Sequence, residues 1–109
     1  MSVLMEFSMF PTDKGKSVSS EVSKVIEMVR ESGHPYSLSA MGTTVETDTM
    51  AEALEILQRA YDILAKASGR IYSSVKFDIR KDKGNRLTGK IASVEEKIGK
   101  VNTPGSNRG

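Results

Sequence analysis

The plainest pattern in the chain is a strict alternation late in its length. Arg70 to Lys81 reads RIYSSVKFDIRK, with Ile71, Ser73, Val75, Phe77 and Ile79 on one side and Tyr72, Ser74, Lys76, Asp78 and Arg80 on the other. A period of two belongs to a strand that buries one face. The same period runs from Val3 to Phe10, dividing Val3, Met5, Phe7 and Met9 from Leu4, Glu6, Ser8 and Phe10, and Pro11 ends it. Shorter strands are expected near Tyr36–Met41 and Thr43–Thr47, on either side of Gly42. Between these segments the period becomes helical. Val18, Val22, Val25, Ile26 and Val29 form the stripe of a helix that Ser17 can cap and that Gly33 and Pro35 stop. Met50, Ala53, Leu54, Leu57, Ala60, Tyr61 and Leu64 form a second stripe, opened by a Thr49-x-x-Glu52 capping box and closed by Gly69. Ser93-x-x-Glu96 begins a short terminal helix carrying Val94 and Ile98.

The order β-α-β-β-α-β followed by a small helix predicts an α+β, ferredoxin-like split βαβ sandwich, with both long helices on one face of an antiparallel sheet. Right-handed crossovers place the first and third strands centrally and the fourth beside the first. One domain over residues 1–99 is expected, with 100–109 as a polar flexible tail that has nothing to bury. The uncovered face then gathers Leu4, Glu6, Ser8 and Phe10 with Tyr72, Ser74, Lys76, Asp78 and Arg80, and Glu6 lies near Lys76. Many antiparallel sheets turn such a face to water. The large apolar groups Leu4, Phe10 and Tyr72 among the charges favour a shared, partly enclosed face, where two copies meet and leave a cleft.

Composition narrows the chemistry. Of 109 residues, 38% are hydrophobic and 28% charged, and the net charge of +2 gives no general case for nucleic acid. Cys is absent, which removes disulfides, thiolate metal sites and a cysteine nucleophile, and fits a cytoplasmic location. The opening MSVLMEFSMF is too short to span a bilayer and lacks the marks of a signal peptide. Gly15-Lys16-Ser17 sits where a phosphate loop would, but the required earlier Gly is Phe10. His34, the single histidine, lies between Gly33 and Pro35 as a turn residue, so neither zinc nor a conventional Ser-His-acid triad is expected. Glu52 with Glu55 and Glu95 with Glu96 read as solvated helix faces, and the Met residues as core filler. Arg80, Lys81, Lys83, Arg86 and Lys90 form a basic run without interleaved aromatics, which leaves RNA a minor reading. No cofactor and no catalytic residue are expected.

The hairpin MGTTVET, Met41 to Thr47, offers hydroxyls and a carboxylate around a Gly that admits close approach. Ordinary strand chemistry, with Glu46 as a helix N-terminal charge, explains it equally well. Taken with MEFSMFP, SVKFDIRKDKGNRL and GKIASVEEKIG, however, the chain resembles the thiamine-binding protein family of small, YkoF-like ferredoxin-fold proteins. That resemblance implies a dimer through sheet faces, a dimer of dimers, and binding of thiamine or its hydroxymethylpyrimidine half without turnover. Such a ligand joins a cationic thiazolium to an aminopyrimidine and wants a carboxylate, hydroxyls and an aromatic wall. Thr43, Thr44 and Glu46 are the first candidates, assisted by Ser8, Glu6 or Asp78, with Tyr72 or Phe10 as the wall. The alternative is an oligomeric sensing or scaffold domain for another small molecule.

Overall fold

The structure is a computed structural model that describes residues 1–13, 19–82, 84 and 86–103. Its elements are β1 (Ser2–Pro11), α1 (Ser19–Glu31), β2 (Tyr36–Ser39), β3 (Gly42–Thr47), α2 (Met50–Ala65), β4 (Ile71–Arg80) and α3 (Arg86–Ile98). The four strands form one antiparallel sheet in the order β2-β3-β1-β4, the ferredoxin-like arrangement expected from the sequence. The expected Ser17 cap, Val18, Gly15-Lys16-Ser17, Lys83 and the tail beyond residue 103 lie outside the described residues.

The core follows from the alternation in β1. Val3, Met5 and Phe7 point into the helix layer and pack with Val45 of β3, Val25, Met28 and Val29 of α1, and Ala53, Ile56, Ala60 and Leu64 of α2. Met5, Ile56 and Leu64 are fully buried, each worth roughly 1.5–3 kcal/mol relative to exposure. The Thr49 box is present in full: Thr49 Oγ1 accepts from the Glu52 amide at 3.1 Å, and Glu52 Oε1 accepts from the Thr49 amide at 3.0 Å. Gly33 takes φ 82° after α1, a left-handed turn that suits glycine.

Four expectations need correction. The buried stripe of α2 is Ala53, Ile56, Ala60 and Leu64, while Leu54 and Tyr61 are half exposed on its flanks. On β4 the inward residues Phe77 and Ile79 remain 38% and 46% exposed, because the helix layer packs over the central strands and leaves much of this edge strand uncovered. Met41 is exposed at the hairpin rather than filling core. The terminal helix also begins at Arg86, well before Ser93. Leu87, Ile91, Val94 and Ile98 carry its period, and Gly84 and Gly89 obscured the start.

Candidate ligand-binding face

The face opposite α1 and α2 is built in rows by strand register. Thr44 of β3, Glu6 of β1 and Lys76 of β4 stand side by side. The next row is Glu46, Leu4 and Asp78; on the other side lie Ser8 with Ser74 and Phe10 with Tyr72. The Phe10 and Tyr72 rings are 5.7 Å apart at 42°, a tilted aromatic pair on a surface with Tyr72 59% exposed. Glu6 and Lys76 are exposed and opposed in register, with no hydrogen bond or ion pair between them among the described residues. Gly42 lets β3 close on β1: a Cβ there would meet the Phe7 carbonyl oxygen at 3.0 Å.

One end of this face is closed by α3, which is held by a buried polar network. Glu46 accepts from Ser2 Oγ at 2.6 Å, from the Arg86 amide at 3.0 Å and from the Leu87 amide at 3.1 Å. The carboxylate thereby caps the N-terminus of α3 from a different strand, satisfying amides that the helix leaves unpaired. Burial acts to raise the Glu46 pKa, but the bonds from Ser2, Arg86 and Leu87 outweigh it and leave it below the ordinary value. Arg86 is only 4% exposed. Its Nε donates to Ser2 Oγ at 3.2 Å, and Nη2 donates to the carbonyls of Ser2, at 2.8 Å, and of Asp78. Nη1 lies 2.9 Å from Asp78 Oδ2 as an ion-pair contact, although it is not aligned for a hydrogen bond. Lys90 Nζ reaches the same oxygen at 3.3 Å. Arg86, and then Lys90, hold the Asp78 carboxyl below its usual range.

The six residues expected to bind a ligand are therefore not one cluster. Glu6, Ser8 and Thr44 share the open face, and Asp78 stands at its α3 end already engaged by two cations. Thr43 pairs with Phe7, points to the helix side and is buried, because successive strand residues face opposite ways. Glu46 lies on the same side of the sheet as Glu6 and Thr44 but is 7% exposed and engaged in capping α3. Ser2 and Leu87, which complete the network, escaped the sequence reading, and Arg86 was read there only as part of a basic run; the spacing of Leu87, Ile91, Val94 and Ile98 was the available signal. The basic run is divided. Arg86 is internal, Arg80 pairs with Asp82 at 3.1 Å, and Arg80 and Lys90 line a groove of about 790 Å³ with Asp78, Gly89 and Ser93. Among the described residues no group of acids and histidines could hold a metal ion, and no helix is long and apolar enough to cross a membrane.

Comparison with known proteins agrees with this architecture. The sequence is 39% identical to a UPF0045 protein of Mycobacterium bovis over 87% of this chain and 93% of that one. It superposes on the crystal structure of a hypothetical protein from Methanocaldococcus jannaschii with a TM-score of 0.77 and 36% identity, covering 87% of this chain and 97% of that one. A Thermotoga maritima protein assigned provisionally to thiamine biosynthesis or salvage shares the fold, with a TM-score of 0.74 at 17% identity over 86% of this chain and 99% of that one. The sequence model of the thiamine-binding protein family matches residues 5–95. With its sheet order and most of its length accounted for in this way, the chain belongs to the thiamine-binding protein family.

Proposed function

We propose that this protein binds thiamine, or its hydroxymethylpyrimidine half, on the uncovered sheet face, without turning it over. The observation that carries the reading is the exposed Glu6 carboxylate in a row with Thr44, next to Ser8 and near the Phe10–Tyr72 ring pair. A cationic heterocycle needs this set: an anion, hydroxyls for an aminopyrimidine, and an aromatic surface. Asp78 supports the site at its α3 end, where its charge is balanced by Arg86 and Lys90. Glu46 supports it indirectly by fixing α3, and Thr43 by packing β3 from behind.

A single open face encloses little of a ligand, and binding sites normally surround theirs. The reading therefore includes a second copy meeting this face, giving a dimer through the sheets and, by pairing of pairs, a homotetramer. Its use would be vitamin salvage or delivery in the cytoplasm. Calorimetric titration with thiamine and with hydroxymethylpyrimidine tests it. Saturable heat and a raised melting temperature are expected, with affinity falling roughly ten- to a hundredfold in Glu6→Gln, as loss of a charged hydrogen-bonding partner implies. Absence of both heat and thermal shift at millimolar ligand rejects the reading.

The second reading, an oligomeric sensing or scaffold domain for another small molecule, draws on the groove beside α3. Exposed Lys90 and Arg80 there suit an anionic group better than thiamine. Titration of inorganic phosphate in the same calorimeter separates the two.

A further inference from the structure

The uncovered face changes chemistry along its length. Phe10 stands with Tyr72 at one end and Glu6 with Lys76 in the middle, and Asp78 and Arg80 follow on β4. Beyond Lys76 the charged ends of Arg80 and Lys90 come to the surface, with side chains 45% and 67% exposed. Along the strands the face therefore runs from aromatic to anionic to cationic. A ligand that is only a cation is attracted by Glu6, but it lies beside Lys76 and, ~7 Å further on, meets Lys90 above Asp78. Like charge at that end works against it.

The cationic end is also concave. Asp78, Arg80, Arg86, Lys90 and Ser93 line the groove of about 790 Å³ between β4 and α3. Arg86 is fixed there, 4% exposed, and its Nη1 is buried without an aligned hydrogen-bond acceptor. Asp78 Oδ2 is divided between Arg86 Nη1 at 2.9 Å and Lys90 Nζ at 3.3 Å. The contact with Lys90 joins two exposed side chains, contributes little, and yields readily to a stronger acceptor. Arg86 meanwhile keeps Asp78 in place and neutralised.

We propose that the form of the ligand this face prefers is a phosphate monoester, with the phosphate seated in the α3 groove on Lys90, Arg80 and Ser93. This rests on the thiamine reading above and adds which form of the vitamin is held. The monoester joins an aminopyrimidine, a thiazolium and a phosphate in that order, the complement of the aromatic, anionic and cationic stretches. From the Ser8–Ser74 row to the Asp78 row is ~14 Å, a distance that two linked rings and a phosphorylated ethyl arm span when extended. A phosphate ester brings ~1.5–2 negative charges and three strong acceptor oxygens. Lys90 can turn from Asp78 to one of them, and the repulsion felt by a bare cation becomes attraction.

Calorimetric titration of the full chain with thiamine and with thiamine monophosphate tests this. The monophosphate should bind about tenfold tighter or more, as one added charge-assisted hydrogen bond implies. Lys90→Gln, and more fully Lys76→Gln with Lys90→Gln, should abolish that preference. Thiamine itself should bind these variants no more weakly than wild type, because a like charge has gone. If Lys90 served only to hold α3, both ligands would weaken alike and the ratio would persist. Inorganic phosphate should compete with the monophosphate and not with thiamine. Equal or weaker binding of the monophosphate by wild type overturns the proposal and leaves the thiamine reading standing, as does a preference that survives in the double variant. Binding of the monophosphate without binding of thiamine supports it. If neither form binds, both readings fall, and heat from inorganic phosphate alone then assigns the groove to another anionic ligand.

Discussion

At the scale of single residues, Glu46 shows how tertiary context reassigns a side chain. In sequence it belongs to a hairpin with three threonines and looks available to a cation. In the fold it joins β1, β3 and α3 through Ser2, Arg86 and Leu87. Glu46→Gln keeps the shape but loses the charge that strengthens three donated bonds, and it opposes an amide NH₂ to an amide N–H. We expect a loss of about 1–3 kcal/mol, the range for buried hydrogen bonds of this kind, read as a lower urea midpoint with an unchanged slope. Glu6→Gln should leave that midpoint within about 0.5 kcal/mol, because an exposed site without partners contributes little. The two carboxylates on one face thus separate by measurement into one that holds α3 and one that the fold does not need. Gly42 was legible as a close-approach position, and the Phe7 carbonyl explains why: Gly42→Ala should destabilise by roughly 1–3 kcal/mol, as overpacking against backbone does.

At the scale of elements, the attachment of α3 depends on charge. The folded pKa values of Glu46 and Asp78 are both depressed relative to ordinary values of 4.5 and 3.8. Their contribution is therefore complete above those values and is lost as pH falls through the lower folded ones, since the unfolded chain binds protons first. Acidification below about pH 4 should release α3 before the sheet and its two long helices unfold. Amide exchange resolved along the chain checks this: protection in Arg86–Ile98 should fall at a higher pH than protection in β1 and α2. In Glu46→Gln the acid step should shrink, because half of the titrating pair is gone. Arg86 contributes to the same attachment through Ser2 and Asp78, so Arg86→Met should loosen α3 at neutral pH as well.

At the scale of the whole molecule, the long helices cover one face of the sheet and α3 closes only an end of the other. The rest of that second face, with Glu6, Thr44 and the Phe10–Tyr72 pair, is left open. Were a second copy to meet it, as proposed above, the small-molecule sites would lie between the two sheets. Ligand affinity should then rise with protein concentration across the range where the chain associates. A calorimetric dilution series at fixed ligand ratio measures this, and affinity independent of concentration would separate binding from association.

The amino-acid sequence was enough to place the strands, the two long helices, their order and the two faces of β1 and β4. Period two and period 3.6 are local, and the caps at Thr49 and Gly33 are written within a few residues. It also determined that Glu6 stands beside Lys76, because antiparallel neighbours with so regular an alternation have few possible registers. Packing across the fold was needed to leave Phe77 and Ile79 partly outside the helix layer and to make Glu46 cap a helix forty residues downstream. Those outcomes depend on which surfaces meet across the fold. No local period encodes where a helix axis comes to rest, or which of several carboxylates is nearest to its open amides.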